Sequence, residues 1–211
     1  MKKLRIAITG ATGLLGRNLL FEILKQQRNN LGSLEIFVLG RRSPGKSLRE
    51  RIDEIINDDG RGYCGFTDSR ESLESVRAME MDLVEDKLRL SQEDYKELKS
   101  SLIDFFFHIA ALTDFRSSEA VTEALYKTNV YGTKQILQLA SNLNVKEFSY
   151  VGSAYSCGKA SGDILPNQID LRRQFRNPYE KTKAEAELLV REFSKTTNTK
   201  CRYFRPSTIC G

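Results

Sequence analysis

Ser153, Tyr179 and Lys183 have the types and spacing for proton transfer at a carbonyl oxygen. A tyrosine and a lysine four residues apart on a helix share a face. An ammonium beside a phenol favours the tyrosinate and brings its proton into play near neutral pH. Such a phenol passes a proton to or from a carbonyl oxygen while hydride moves at the carbon. The Tyr-x-x-x-Lys spacing occurs at Tyr95/Lys99, Tyr155/Lys159 and Tyr179/Lys183. The surrounding segments separate the three pairs. Tyr95/Lys99 lies on a helix preceding a strand, where the carboxyl ends of the sheet are out of reach. Tyr155/Lys159 has Gly158 between its members and falls in a loop. Tyr179/Lys183 opens a helix that Asn177 caps and Pro178 starts. Ser153, just past a strand, adds a hydroxyl for the same oxygen. The competing reading of Tyr179 and Lys183 is a plain pair on a helix surface.

A second group of residues suits phosphate. The run Leu4–Thr9 leads into Gly10-Ala11-Thr12-Gly13-Leu14-Leu15-Gly16, which reads as strand, tight turn and helix. Backbone N–H groups in such a turn approach a pyrophosphate seated at the positive end of the helix dipole. Gly10 permits the turn, Gly13 lets phosphates come close, and Gly16 lets helix pack on strand. The spacing is GxxGxxG rather than GxGxxG, so the match to the dinucleotide fingerprint is partial, and a glycine turn without a ligand is the alternative. Its position directly after a strand favours the fingerprint.

Strand two ends in Leu39-Gly40-Arg41-Arg42, with two guanidiniums where an NAD-binding domain carries an acid. Basic residues there accommodate the 2′-phosphate of NADP, and the planar arginine fork suits a phosphate. NADP(H) is therefore expected in preference to NAD(H); the alternative is two solvated surface arginines. Asp82, with Leu83 beside it, follows strand three, and either accepts from the adenine amino group or caps its own turn. Ala110 and Ala111 are small enough for the backbone to approach the cofactor ribose, and Leu112 continues that stretch. His108 reads as a packed, hydrogen-bonded histidine rather than a catalyst. Asn129, inside a helix, reads as a partner of the neighbouring loop after strand four.

Bulk properties set limits. The 211 residues suit a single domain, and 40% apolar residues suffice for a core. Net charge is +5 with both signs interspersed, and the basic runs Arg41-Arg42 and Arg172-Arg173 are short, which argues against a nucleic-acid partner. Cys64, Cys157, Cys201 and Cys210 form no CxxC and read as reduced thiols of a cytoplasmic protein. With His108 the only histidine, no metal site is expected. No signal peptide opens the chain. The apolar stretch Leu102–Leu112 contains Asp104 and His108 and is too short to span a bilayer. Oligomeric state stays open, a homo-oligomer included.

Strand-like and helix-like segments alternate, which predicts an α/β, doubly wound parallel sheet. Strands are expected at Leu4–Thr9, Leu34–Leu39, Val76–Met81, Ile103–Phe107, Glu147–Val151 and Arg202–Arg205. Helices are expected at Gly13–Gln27, Gly45–Asn57 (ended by Asp58-Asp59-Gly60), Ser91–Lys99, Ser117–Asn142 in one or two pieces, and Asn177–Lys195. The long loop Ser153–Asn177 has the length of a functional loop. No terminal helix follows strand six, so the sheet reads as cut off.

These motifs resemble the extended branch of the short-chain dehydrogenase/reductase superfamily. The resemblance rests on Thr9–Gly16, His108-Ile109-Ala110-Ala111, Asn129-Val130-Tyr131-Gly132-Thr133, Val151-Gly152-Ser153, Tyr179-Glu180-Lys181-Thr182-Lys183 and Arg205-Pro206-Ser207. It implies a Rossmann-type fold, Ser153, Tyr179 and Lys183 as the catalytic set, and contact between the loop Pro206–Ile209, Pro206 and Thr208 included, and the nicotinamide side. A finer similarity is to thioester reductase and male-sterility-type fatty acyl reductase domains. It is carried by Val38–Arg42 with the Ser47–Ile56 helix, by Met81–Leu83 with Leu88–Tyr95, and by Asn177–Glu185. Extended members carry a C-terminal substrate lobe and a seventh strand, which these residues lack.

Three functions are compatible with this reading. The first is NADPH-dependent reduction of a small-molecule or carrier-linked acyl thioester or other carbonyl. Hydride goes to carbon, Tyr179 protonates oxygen, Lys183 supports Tyr179 and holds the nicotinamide ribose, and Ser153 positions the oxygen. A thioester would give a hemithioacetal that collapses to aldehyde and thiol. The second is a nucleotide-sugar epimerase or dehydratase; such enzymes usually retain NAD, and Arg41-Arg42 argues against it. The third is a non-catalytic dinucleotide-binding protein; the complete Ser153/Tyr179/Lys183 set argues against it, and the missing substrate lobe argues for it.

Overall fold

Alternate residues of the central strands enter opposite layers of core. Ala7, Phe37, Phe106 and Phe148 face one side, while Ile6, Ile8, Ile36 and Val38 face the other. This period of two, apolar on both faces, is what a parallel sheet covered by helices requires. The computed structural model describes residues 3–66 and 69–209. Its strands are β1 (Leu4–Thr9), β2 (Leu34–Gly40), β3 (Val76–Glu80), β4 (Phe105–His108), β5 (Glu147–Val151) and β6 (Lys200–Phe204). All pair in parallel, in the order β3-β2-β1-β4-β5-β6. Ala7 lies in register with Phe37 on one side and Phe106 on the other, and Phe106 with Phe148. The Phe106 and Phe148 rings stack at 5.5 Å. This is the Rossmann strand order, and it reverses direction between β1 and β4, where a crevice opens at the carboxyl ends.

The helices are α1 (Leu14–Gln26), α2 (Leu48–Ile55), α3 (Arg61–Cys64), α4 (Arg70–Glu74), α5 (Gln92–Ser101), α6 (Glu119–Leu125), α7 (Gly132–Asn142) and α8 (Pro178–Thr196). Several boundaries differ from expectation for identifiable reasons. The helix expected over Gly45–Asn57 starts at Leu48, because Ser47 and Glu50 form a reciprocal capping box. Asp58-Asp59-Gly60 does not end it: a wider-wound segment, Ile56–Gly60, leads straight into α3. Gly60 keeps helical angles and instead clears Phe21, whose ring a Cβ would meet at 2.7 Å. The terminator is Gly65, at φ +68°. Strand six begins two residues early, since Lys200 pairs in register with Glu147, and Arg205 leaves the ladder for Glu187.

The Ser117–Asn142 helix proves to be one helix in three parts. Ser118 caps α6, a wider-wound turn spans Tyr126–Tyr131, and α7 follows without leaving helical angles. Gly132 lets this helix lie on the loop after β3, where a Cβ would meet Leu83 Cβ at 2.8 Å. Such wide turns within helices are frequent at functional sites, and Asn129, 2% exposed, is the side chain this turn buries. Cys64, Cys157 and Cys201 are free thiols, and Cys210 lies outside the described residues.

Candidate active site

The glycine turn is shaped by contacts that exclude side chains. Gly10 has φ +79°, and a Cβ there would lie 2.7 Å from the Ala110 nitrogen. At Gly16 a Cβ would lie 2.0 Å from the Gly10 carbonyl oxygen, so α1 can approach β1 only without one. At Gly13 the space is open, with only the Gly10 oxygen at 3.5 Å. Side chains cap α2, α5, α6 and α8, through Ser47, Ser91, Ser118 and Asn177. The N-terminus of α1, at Gly13, has neither a capping side chain nor an acidic residue in its first turn. Its unpaired N–H groups and positive dipole end face the crevice, the arrangement that takes a diphosphate.

That crevice is a cleft of about 670 Å³ at the carboxyl ends of the strands. At one end lie Gly10–Gly16, Arg41, Arg51, Asp82 and Leu83; at the other, Ala110, Ala111, Ser153, Tyr179, Lys183, Pro206 and Thr208. Its charged lining is Arg41, Arg51 and Lys183 against Asp82, a positive balance that suits an anionic ligand.

The structure brings Ser153, Tyr179 and Lys183 to this one cleft from two elements. Asn177 Oδ1 accepts from the Glu180 N–H at 3.0 Å, which starts α8 beside the cleft and places Tyr179 in its first turn. Tyr179 is 8% exposed. Lys183, one turn on, is buried and donates from Nζ to the Val151 carbonyl at 2.8 Å, its ammonium 4.9 Å from the centre of the Tyr150 ring. Burial pushes the Lys183 ammonium down to about 8, a shift that Glu187 partly opposes. Ser153 Oγ accepts the Tyr155 N–H at 3.1 Å, which fixes the oxygen and leaves its own proton to donate. The β5 turn is stitched to the loop after β6: Gly152 donates to Phe204 at 2.8 Å and Ala154 to Pro206 at 2.9 Å. The other two Tyr-x-x-x-Lys pairs are not assembled here. Lys99 lies 5.9 Å over the Tyr95 ring on α5, and Lys159 is exposed although Tyr155 lines the cleft.

Three of the expected cofactor residues do not line the cleft. Arg42 turns toward Glu80, at 3.8 Å. Leu112 and Asn129 stand behind it: the Asn129 carboxamide accepts from the Leu112 N–H at 2.8 Å and donates to its carbonyl at 3.0 Å. Asp82 lines the cleft, and its Oδ1 also accepts from the Val84 N–H at 3.2 Å, so it caps its own turn. His108 is buried, with Nδ1 2.8 Å from Thr9 Oγ1 and Nε2 3.1 Å from Thr133 Oγ1. Burial, with Lys183 nearby, pushes its pKa down to about 3. It is a neutral bracket between β1, β4 and α7.

Arg51 is a cleft residue that escaped the sequence reading. Arg51 donates from Nη1 to the Arg41 carbonyl at 2.8 Å and from Nη2 to Thr12 Oγ1 at 2.9 Å. The available signal was its place three residues after Leu48, which shares that helix face and the cleft.

The chain has relatives in sequence and in structure. Residues 8–211 match the family described as male sterility protein. The chain belongs to the male sterility protein family. Human fatty acyl-CoA reductase 1 is 30% identical over 174 residues, 80% of this chain and 32% of that protein. This family member therefore spans about a third of the length of that curated relative. The terminal R domain from the myxalamid PKS-NRPS biosynthetic pathway superposes with a TM-score of 0.80 at 25% identity, over the whole of this chain and 50% of that one. UDP-glucuronic acid 4-epimerase from Bacillus cereus, in complex with NAD, shares the fold at 19% identity and a TM-score of 0.67, over 99% of this chain and 58% of that one. The male sterility domain is thus of the extended short-chain dehydrogenase/reductase, thioester-reductase type, built for a nicotinamide dinucleotide. Among its described residues no helix is long and apolar enough to cross a membrane, and no cluster of three His, Cys, Asp or Glu could hold a metal ion.

Proposed function

We propose that this chain is the dinucleotide-binding domain of an NADPH-dependent reductase acting on an acyl thioester or a related carbonyl. The observation that carries the reading is the meeting of Ser153, Tyr179 and Lys183 with the glycine turn, Arg41 and Arg51 in one cleft. Gly10–Gly16 would hold the diphosphate, Arg41 and Arg51 the 2′-phosphate, and Ala110, Ala111, Lys183 and Pro206–Thr208 the nicotinamide ribose and its neighbours. When bound, the nicotinamide supplies hydride to the carbonyl carbon. Tyr179 donates its proton to the carbonyl oxygen. The Lys183 ammonium stabilises the phenolate left behind, and the Ser153 hydroxyl orients the oxygen. The relatives' names, a fatty acyl-CoA reductase and a terminal R domain, support the thioester over a sugar nucleotide. Arg41 and Arg51 support NADPH over the NAD of the epimerase neighbour. We assign residues 1–211 to this single domain, with further substrate contacts coming from outside it.

The test is Tyr179→Phe in the full-length natural protein, assayed by NADPH oxidation with an acyl-CoA. Loss of a positioned acid lowers turnover by about 10²–10⁴-fold. Unchanged turnover would rule out Tyr179 as the acid.

A further inference from the structure

Phe115 joins several of the segments that end at the cleft. Its ring meets Tyr179 edge-on, with centroids 5.2 Å apart and planes at 73°, and meets Tyr155 edge-on at 6.4 Å and 86°. The Tyr155 hydroxyl is 2.8 Å from Thr208 Oγ1. The loop after β4, the turn after β5, the start of α8 and the loop after β6 are thus linked through one aromatic group.

The same group is open to solvent where a substrate would lie. Phe115 is 55% exposed, Tyr155 38% and Ile209 43%, and all three line the cleft with Tyr179. Single exposed apolar side chains are ordinary; Phe115 and Tyr155 paired beside the Tyr179 phenol, with Ile209 lining the same cleft, form a surface suited to apolar contact. The charges flanking Phe115 cancel. Arg116 binds Asp114 through Nε at 3.0 Å and Nη2 at 2.7 Å, and the guanidinium holds the Asp114 carboxyl down to about 2. Neither charged side chain lines the cleft, and the lining residues nearest Phe115 in the chain and in ring contact are the uncharged Thr113, Tyr155 and Tyr179.

We propose that Phe115, with Tyr155 and Ile209, is the specificity-determining wall for the acyl group. An apolar acyl chain lies along the Phe115–Tyr155 pair while its carbonyl oxygen meets Tyr179 and Ser153. The Phe115 ring packs against Tyr179 in a T-shaped pair, and with 55% of the residue exposed it still offers apolar surface to the chain. A long apolar chain removes this surface from water, whereas an acetyl group leaves it wet. This inference rests on the thioester reading above and adds the residues that choose among thioesters.

The experiment compares kcat/KM for decanoyl-CoA and acetyl-CoA, with NADPH, in the full-length natural protein and its Phe115→Ala and Phe115→Leu variants. The natural protein is expected to favour decanoyl-CoA. Phe115→Ala lowers the decanoyl-to-acetyl ratio by about tenfold, mainly through the decanoyl KM, and Phe115→Leu restores most of it. NADPH affinity checks that each variant is folded. Should Phe115→Ala not bind NADPH, Ile209→Ser carries the same prediction with a smaller fall. Equal losses on both substrates, expressed in kcat, would mean that the ring only steadies Tyr179 and would overturn the proposal. A natural protein that reduces both thioesters, with a ratio indifferent to these variants, overturns this proposal alone. A natural protein that reduces neither overturns the thioester reading, and this proposal with it.

Discussion

Arg51 on α2 donates to Thr12 Oγ1 in the glycine turn at 2.9 Å, and its other nitrogen holds the Arg41 carbonyl. A guanidinium is thereby fixed between the diphosphate turn and the end of β2, where the 2′-substituent of a bound adenosine ribose falls. Arg51→Ala and Arg41→Ala are each expected to weaken NADPH binding by about tenfold while changing NADH binding by less than about twofold. Fluorescence titration of both dinucleotides measures this. Equal losses for the two would mean that the turn is damaged rather than that a phosphate partner is lost. Arg42→Ala, which removes a side chain directed at Glu80, is expected to leave both affinities close to the natural values.

Burial holds the Lys183 ammonium at about 8, below the ordinary 10.5. Its positive charge in the native site is therefore lost as pH rises through about 8. The alkaline limb of kcat/KM is expected there as a one-proton step, absent in Lys183→Met, which is slow at every pH. Stability moves the opposite way. Between about 8 and 10.5 the unfolded chain holds the proton that the folded chain has released, so stability rises with pH over that window. Urea unfolding at a series of pH values is expected to show less of this rise in Lys183→Met.

His108 makes the converse prediction on the acid side. Its folded value, about 3, lies below the ordinary 6.5, because the ring is buried between Thr9 and Thr133. The unfolded chain binds a proton over that interval that the folded chain refuses, so stability falls as pH drops from 6.5 toward 3. His108→Gln lacks this term. Its urea-unfolding curve is expected to be lower than the natural one at pH 7 and to converge on it by about pH 4. A gap that stays constant with pH would show that the histidine does not titrate on unfolding.

What the sequence made legible follows from the range of the interactions. Strand existence, the glycine turn and the Asn177–Pro178 start of α8 are local: apolar runs, φ requirements and a cap. The assembly of Ser153 with Tyr179 and Lys183 was legible because the strand order brings the ends of adjacent strands together. Asp58-Asp59-Gly60 was misread because local propensity marks a stop there, while Gly60 serves a distant contact with Phe21. Arg51 was missed because its meaning depends on Thr12, 39 residues away. Phe115 was missed for the same reason: its significance lies in its ring contacts with Tyr155 and Tyr179, which no spacing along the chain encodes.

Asn129 tests whether a residue outside the cleft shapes it. Its carboxamide satisfies both backbone groups of Leu112, and Nδ2 also lies 3.3 Å from Thr182 Oγ1 on α8. The wide turn in the helix is what aims it there, and the loop it holds carries Ala111 and Thr113 into the cleft. Asn129→Ala leaves two partly buried backbone groups unpaired and is expected to cost about 1–3 kcal/mol of stability. Asn129→Asp keeps the acceptor for the Leu112 N–H but sets carboxylate lone pairs against the Leu112 carbonyl, so the repulsion persists although the volume is kept. Both variants are expected to weaken NADPH and NADH alike, since the loop they release would contact the ribose common to both. Denaturation midpoints measured beside the two affinities separate this from a 2′-phosphate effect: a loss confined to NADPH would mean that Asn129 acts at the other end of the cleft.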